Sequence, residues 1–317
     1  MIAKELNLTA WRCVETEGIP PKKNKTSLKC FTESKIKVLI KQMPTETLTD
    51  QQIDQYRRNG FVNGGLVLDE ATIDTLRTEV LRVIDDRDNP DAPQPVSLRN
   101  LSKSDDAPIW QIVNIFESSS PFRELINHQQ IVNMAAQLSG AQELRVWHDQ
   151  IQYKPKTLGG RLHWHQDSPL WPTLQPKHEQ ISAWVALDDA DMDNGCMYMV
   201  PGSHQWGNQQ PFLQEMPHGV APPDTFEGKP VYTVMCPVKK GHVHFHHSLT
   251  WHGSGTNTSS RPRRAVAIHF MSENTTYDAS GNHSMKPFVT VSDGEKLVGD
   301  AFPLVWTNGS KAKKEVS

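Results

Sequence analysis

From residue 143 onward the sequence changes character, and that change restricts the fold more than any other feature. Short apolar or alternating runs at 145–153, 181–187, 197–200, 231–235, 242–246 and 265–270 are split by turn residues such as Asp193-Asn194-Gly195 and Pro201-Gly202. Several short strands at this spacing predict an antiparallel barrel or sandwich. Before residue 143 the periodicity is helical. Ile73, Leu76, Val80, Leu81 and Ile84 fall on one face of a helix over 70–86, with Asp69 as its N-cap. A shorter helix follows Thr49 and closes at Asn59-Gly60, and two more are expected over 121–126 and 130–138. The chain therefore reads as mainly β with flanking helices, a single domain over 46–317. Residues 1–45 carry lysines without clear periodicity and read as an N-terminal extension.

Bulk properties exclude several classes of function. The formal net charge of −3 gives no reason to expect nucleic acid or an anionic membrane as partner. No run reaches the roughly 18 apolar residues of a membrane span, and residues 1–9 contain no apolar core of a signal peptide. The cysteines Cys13, Cys30, Cys196 and Cys236 form no C-x-x-C pair, so they are expected to be free thiols. The expectation is a cytoplasmic protein acting on a small molecule, with a monomer or a homodimer equally compatible.

The residues that carry chemistry begin with His165-Gln166-Asp167. In extended chain, residues i and i+2 share a side, so one imidazole and one carboxylate would converge on one point. His252 follows in Trp251-His252-Gly253-Ser254-Gly255, after a strand-like run and before a turn. Two histidines and one carboxylate form the facial triad that binds iron(II) and leaves the opposite positions open. Arg263 opens the next apolar strand, and its planar fork suits the far carboxylate of a dicarboxylate co-substrate, with Ser254 as a second donor.

These elements resemble the phytanoyl-CoA dioxygenase family of Fe(II)- and 2-oxoglutarate-dependent oxygenases over about 48–271. The similarity is carried by His148-Asp149-Gln150 with Lys154-Pro155, His165-Gln166-Asp167, Ala183-Trp184-Val185-Ala186-Leu187, Asn194-Gly195-Cys196, Pro201-Gly202-Ser203-His204, His252-Gly253-Ser254, Asn257 and Arg263. The resemblance implies a double-stranded β-helix, a cupin-like jelly-roll barrel. It implies His165, Asp167 and His252 as iron ligands. Arg263 and Ser254 would bind 2-oxoglutarate, with Trp184 and Gln150 beside it. The implied reaction consumes O2 and 2-oxoglutarate, releases succinate and CO2, and hydroxylates a C–H bond of a small metabolite. Desaturation, epimerisation or ring closure by the same oxidant is the alternative outcome, and a non-catalytic jelly-roll binding protein is the competing class. A family lysine that meets the co-substrate from an earlier strand has no evident counterpart, and Gln111 and Asn114 are the polar residues where one is sought.

Other residues divide between plain and functional roles. His148, Trp164 and Trp171 are expected near the substrate, the last within a loop over 168–180 whose Leu170, Trp171 and Leu174 give it an apolar side. His163 reads as structural or pocket-lining. His242, His244 and His246 share one strand face and read as solvated or hydrogen-bonded imidazoles rather than a second metal site. Asp188, Asp189, Asp191 and Asp193 read as a solvated turn.

Overall fold

The computed structural model describes residues 47–101, 109–157 and 160–309, so the expected extension over 1–45 lies outside the described residues. The first helix, α1 (Asp50–Asn59), starts with a capping box between Thr49 and Gln52 and stops at Gly60, whose φ of 83° is the left-handed cap that glycine adopts without strain. α2 (Glu70–Asp85) is capped by Asp69, which accepts from the Thr72 amide at 2.8 Å. It buries Ile73, Leu76, Val80, Val83 and Ile84, whereas Leu81 is 44% exposed. At about 100° per residue, Leu81 lies roughly 110° round the helix from the centre of that stripe, and Val83 takes the place expected for it. α3 (Ser120–Ile126), α4 (Gln129–Ser139) and α5 (Gln210–Glu215) follow. None of the described helices is long and apolar enough to cross a membrane.

Two antiparallel sheets make the β-core. The strands are β1 (Phe61–Leu66), β2 (Ser97–Asn100), β3 (Trp110–Val113), β4 (Glu143–Lys154), β5 (Leu162–His165), β6 (Gln180–Ala186), β7 (Met197–Met199), β8 (Val234–Cys236), β9 (His242–His247), β10 (His252–Ser254), β11 (Arg263–Ser272) and β12 (Leu304–Thr307). The larger sheet runs β1-β9-β6-β11-β4-β3-β2, with β12 added to β4, and the smaller runs β8-β7-β10-β5. Strands β2, β3 and β12 are only four residues long, too short for alternation to stand out in the sequence.

Side-chain alternation assigns the two faces of the larger sheet. Val243 and Phe245 of β9, Ala183 and Val185 of β6, and Val266 and Ile268 of β11 pack with Leu76, Val80, Ile131 and Val132 of the helices. The opposite parity packs Trp184, Ala186, Ala265 and Ala267 against Met197 and Met199 of the smaller sheet. The result is a double-stranded β-helix, a jelly roll with helices over one sheet. Along β4 the register against β11 slips between His148 and Val146, so that Trp147 is the extra residue of a bulge. Beyond it, His148, Gln150, Gln152 and Lys154 share the parity that faces the smaller sheet.

The acidic run is not wholly solvated. Asp188 is 7% exposed and meets Arg264 at 2.8 Å and Arg77 at 2.9 Å, while also accepting from the Arg264 amide. Two cations on separate elements pull this carboxylate inward, whereas Asp191 stays at the surface against Arg261. Asp188→Ala would leave Arg264 without an ion-pair partner among the described residues and Arg77 with only the exposed Asp74, and it is expected to lower unfolding stability by roughly 2–4 kcal/mol in urea denaturation. The exposed counterpart Asp191→Ala is expected to change it by less than about 1 kcal/mol.

Candidate active site

A cavity of about 480 Å³ lies between the sheets, and His165, Asp167 and His252 line its floor. His252 at the start of β10 is the Cα partner of His165 at the end of β5, so cross-strand pairing brings the two imidazoles together, with centroids 4.1 Å apart. Asp167 reaches the same point by a different route from the one the sequence suggests. The strand ends at His165, and Asp167 adopts φ −70°, ψ −62° at the entry to a short 3-10 turn. The pleat does not aim it; the turn does, held by the Asp167 amide donating to the Ser248 carbonyl at 2.9 Å. One donor atom from each of the three residues lies within 4.8 Å of the others, the only such group among the described residues. Asp167 Oδ1 is 3.4 Å from His252 Nε2 and 3.7 Å from His165 Nε2.

The surroundings fix which atoms face that point. His165 Nδ1 lies 2.7 Å from the His163 carbonyl and His252 Nδ1 lies 2.9 Å from the Thr250 carbonyl. A ring nitrogen beside a carbonyl must carry the proton, which leaves each Nε2 facing the shared point as the atom a metal would take. Asp167 Oδ2 accepts from Ser182 Oγ at 2.6 Å and lies 2.9 Å from His246 Nε2, while His269 Nδ1 contacts the same Ser182 hydroxyl at 2.8 Å. Oδ1 is thereby left for the shared point. Burial alone would raise the Asp167 carboxyl, but His252 and His246 overcome it and hold it well below the usual range. Burial, reinforced by His252, pushes His165 down to about 3, so it stays neutral.

His246 and His269 were not singled out as site residues in the sequence, because only the cross-strand register shows which of many histidines faces the carboxylate. The β9 alternation was legible, and His244 and His246 do share a buried face. His246→Leu removes one of two donors to Asp167 and is expected to weaken iron(II) binding about 10- to 100-fold in an anaerobic titration, with the melting temperature little changed.

At the other end of the inner face sit two buried basic side chains, Arg263 and Lys154. Arg263 is 0% exposed, 5.4 Å above the Trp184 ring, and its Nη2 donates to the Gly195 carbonyl at 3.1 Å. Its Nε and Nη1 have no hydrogen-bond partner, and no ion pair links it to a described residue. Lys154, 1% exposed, donates from Nζ to Ser254 Oγ at 2.7 Å and to the Gly255 carbonyl at 2.6 Å. Burial, with Arg263 nearby, pushes Lys154 down to about 5. Gly195 permits this packing: its φ is +83°, and a Cβ there would lie 2.5 Å from the Gly255 carbonyl oxygen. A buried guanidinium without a counter-charge and with unused donors, beside a lysine amine that an anion would help to protonate, fits an anionic ligand.

Gln150, Trp184 and Ser254 line the cavity, as do His148, Trp164 and Trp171. Arg263 lies behind Ser254, 3.5 Å from its hydroxyl, rather than in the lining itself. Of the two residues considered for the missing lysine, Gln111 lines the cavity, while Asn114 is buried elsewhere with its amide on Met285 Sδ. Lys154 stands where neither of them does, and its inward parity with Gln150 was the available signal. Leu170 and Trp171 form part of the wall, whereas Leu174 packs into a separate core with Trp147 and Phe302.

The profile of the phytanoyl-CoA dioxygenase family matches residues 56–265. The peroxisomal phytanoyl-CoA dioxygenase of Bos taurus is 28% identical over 244 residues, spanning 73% of this chain and 70% of its own. The phytanoyl-CoA dioxygenase domain-containing protein 1 of Danio rerio is 26% identical over 275 residues, 73% of this chain and 93% of its own. Among solved structures, the non-haem α-ketoglutarate-dependent carbocyclase SnoK of nogalamycin biosynthesis superposes with a TM-score of 0.66 at 26% identity, covering 82% of this chain and 97% of that one.

Proposed function

Because this chain belongs to the phytanoyl-CoA dioxygenase family, we propose that it is an iron(II)- and 2-oxoglutarate-dependent oxygenase in which His165, Asp167 and His252 hold the metal. The observation that carries the reading is the pairing of two features: three converging ligand atoms in the cavity whose other polar atoms are already engaged, and a buried, uncompensated Arg263 directly behind the cavity-lining Ser254. A two-histidine, one-carboxylate set with open positions suits iron(II). A dicarboxylate keto acid supplies the anion that the arginine lacks.

Iron, 2-oxoglutarate and O2 together supply the oxidising power, and the keto acid leaves as succinate and CO2. The protein's own residues bind and position. His163 and Thr250 orient the two imidazoles through their carbonyls, and Ser182 and His246 hold Asp167 by one oxygen. Arg263 offers a two-pronged contact to the distal carboxylate, with Ser254 and Lys154 beside it and Trp184 and Gln150 along its length. His148, Trp164 and Trp171 bound the substrate side and keep water from it. The balanced reaction for hydroxylation is substrate C–H, 2-oxoglutarate and O2 giving substrate C–OH, succinate and CO2.

The test is succinate formation from 2-oxoglutarate by the full chain with iron(II) and air. Metal-dependent succinate supports the reading; its absence, with iron and keto acid both failing to bind, favours a non-catalytic binding protein. The likeness to SnoK supports a second outcome within the same class, ring closure. Product mass separates the two, since hydroxylation adds one oxygen and ring closure removes two hydrogens.

A further inference from the structure

The substrate side of the cavity is built for hydrogen bonding to an anion. Among the described residues that line it, the one carboxylate is Asp167, already engaged by Ser182 and His246, and the one guanidinium is Arg99. Arg99 lies on β2, opposite Gln111 of β3, which lies opposite Gln152 of β4. This row of three crosses the sheet on the face that lines the cavity. Arg99 donates from Nε to Ser97 Oγ at 3.0 Å and forms no ion pair with a described residue. The side-chain amides of Gln111, Gln150 and Gln152 have no protein partner among the described residues. An apolar chain laid against such a wall would strip water from each amide and return nothing, at a cost of roughly 1–3 kcal/mol per group.

A second, independent feature lies deeper. His148 is 1% exposed, lines the cavity, and its Nε2 has no partner. Its Nδ1 is 3.2 Å from the Asp149 carbonyl, so the proton sits there, which leaves Nε2 as a buried acceptor without a partner on a ring that lines the cavity. The stacked His283, at 5.4 Å, is likewise held neutral by burial and by Arg99. Together these groups offer neutral imidazoles, several amides that can donate as well as accept, and one cation, with no free acid to match an ammonium or guanidinium substrate. Arg99 is exposed and carries a single charge, which balances one carboxylate but leaves a phosphate dianion half compensated. The cavity, about 480 Å³ with the co-substrate still to be housed, is at the compact end of ligand sites.

We propose that the substrate is a compact, polar carboxylic acid, its carboxylate on Arg99 and a hydroxyl or N–H of its body donating to His148 Nε2. The proposal rests on the oxygenase reading above and names the substrate class of that site. It implies that a long acyl chain on a nucleotide carrier is not the substrate.

The test uses the full chain with iron(II), 2-oxoglutarate and air. Pools of small metabolites sorted by charge at neutral pH are added, and succinate above the substrate-free rate is measured. Stimulation confined to anionic pools is expected. In Arg99→Leu the KM for the active acid should rise about 10- to 100-fold with kcat far less changed, and Arg99→Lys should recover part of the loss. Stimulation by neutral or cationic pools instead, by a fatty acyl thioester, or by no pool while basal succinate forms, overturns the proposal. An absence of basal succinate and of iron binding strikes the oxygenase reading itself, which keeps the two failures apart.

Discussion

Asp167→Ala is expected to reduce iron-dependent succinate formation by about 1000-fold or more, beyond the 10- to 100-fold typical when only a residue touching a ligand is changed. The carboxylate is the sole anion among the three ligand residues, and two imidazoles alone give a weaker and neutral site. The loss should not come from unfolding. Asp167 sits on a turn pinned by backbone bonds to Ser248, so the far-ultraviolet spectrum and the urea midpoint should stay close to those of the parent. Asp167→Asn separates charge from shape, because it can still accept from Ser182 and nearly matches the original volume. It is expected to be almost as inactive as the alanine variant. Activity close to the parent in both variants would remove Asp167 from the chemistry.

The second large effect concerns Arg263. With its Nε and Nη1 unpaired and no exposure, the guanidinium is a desolvated cation waiting for a counter-charge. Replacing it by methionine is expected to raise the KM for 2-oxoglutarate about 100-fold or more, the equivalent of two charge-assisted hydrogen bonds. The same change should leave the ligand-free protein as stable as the parent or more so, since an uncompensated buried charge is costly and an apolar side chain of similar length is not. Thermal melts check both statements at once. In the parent, saturating 2-oxoglutarate with an inert divalent metal should raise the melting temperature by linkage. In Arg263→Met that rise should vanish while the ligand-free value holds. A structural role for Arg263 would give the reverse: a lower ligand-free melting temperature and an unchanged response to the keto acid.

What could be read from the sequence, and what could not, follows from how each residue reaches the site. The β-core was legible because alternation is a local property, and Val243, Phe245, Val266 and Ile268 declare it without knowledge of their neighbours. His165, Asp167 and His252 were legible as residue types in order, but the stated reason for their convergence was incomplete. Asp167 is delivered by a turn after the strand, and no two-residue periodicity encodes that. Leu81 was assigned to the buried face of α2 since it borders the apolar stripe, yet the angular centre of that stripe favours Val83. Lys154, His246, Ser182 and His269 depend on long-range register: Ser182 pairs with His246 and with His269 across two different ladders, and neither pairing is written in any one segment. Asp188 misled for a related reason, because its partners Arg77 and Arg264 lie on elements far apart in the chain. Local patterns thus specify elements and faces, while the groups that tune the site are chosen by which strands meet.

Where iron(II) binds decides whether this cavity is an oxygenase site. Crystals of the full chain soaked anaerobically with iron(II) and measured at the iron absorption edge give the position directly. One anomalous peak per chain is predicted, in contact with His165 Nε2, His252 Nε2 and Asp167 Oδ1. Iron seated on other side chains, or no peak at full soaking concentration, would contradict it.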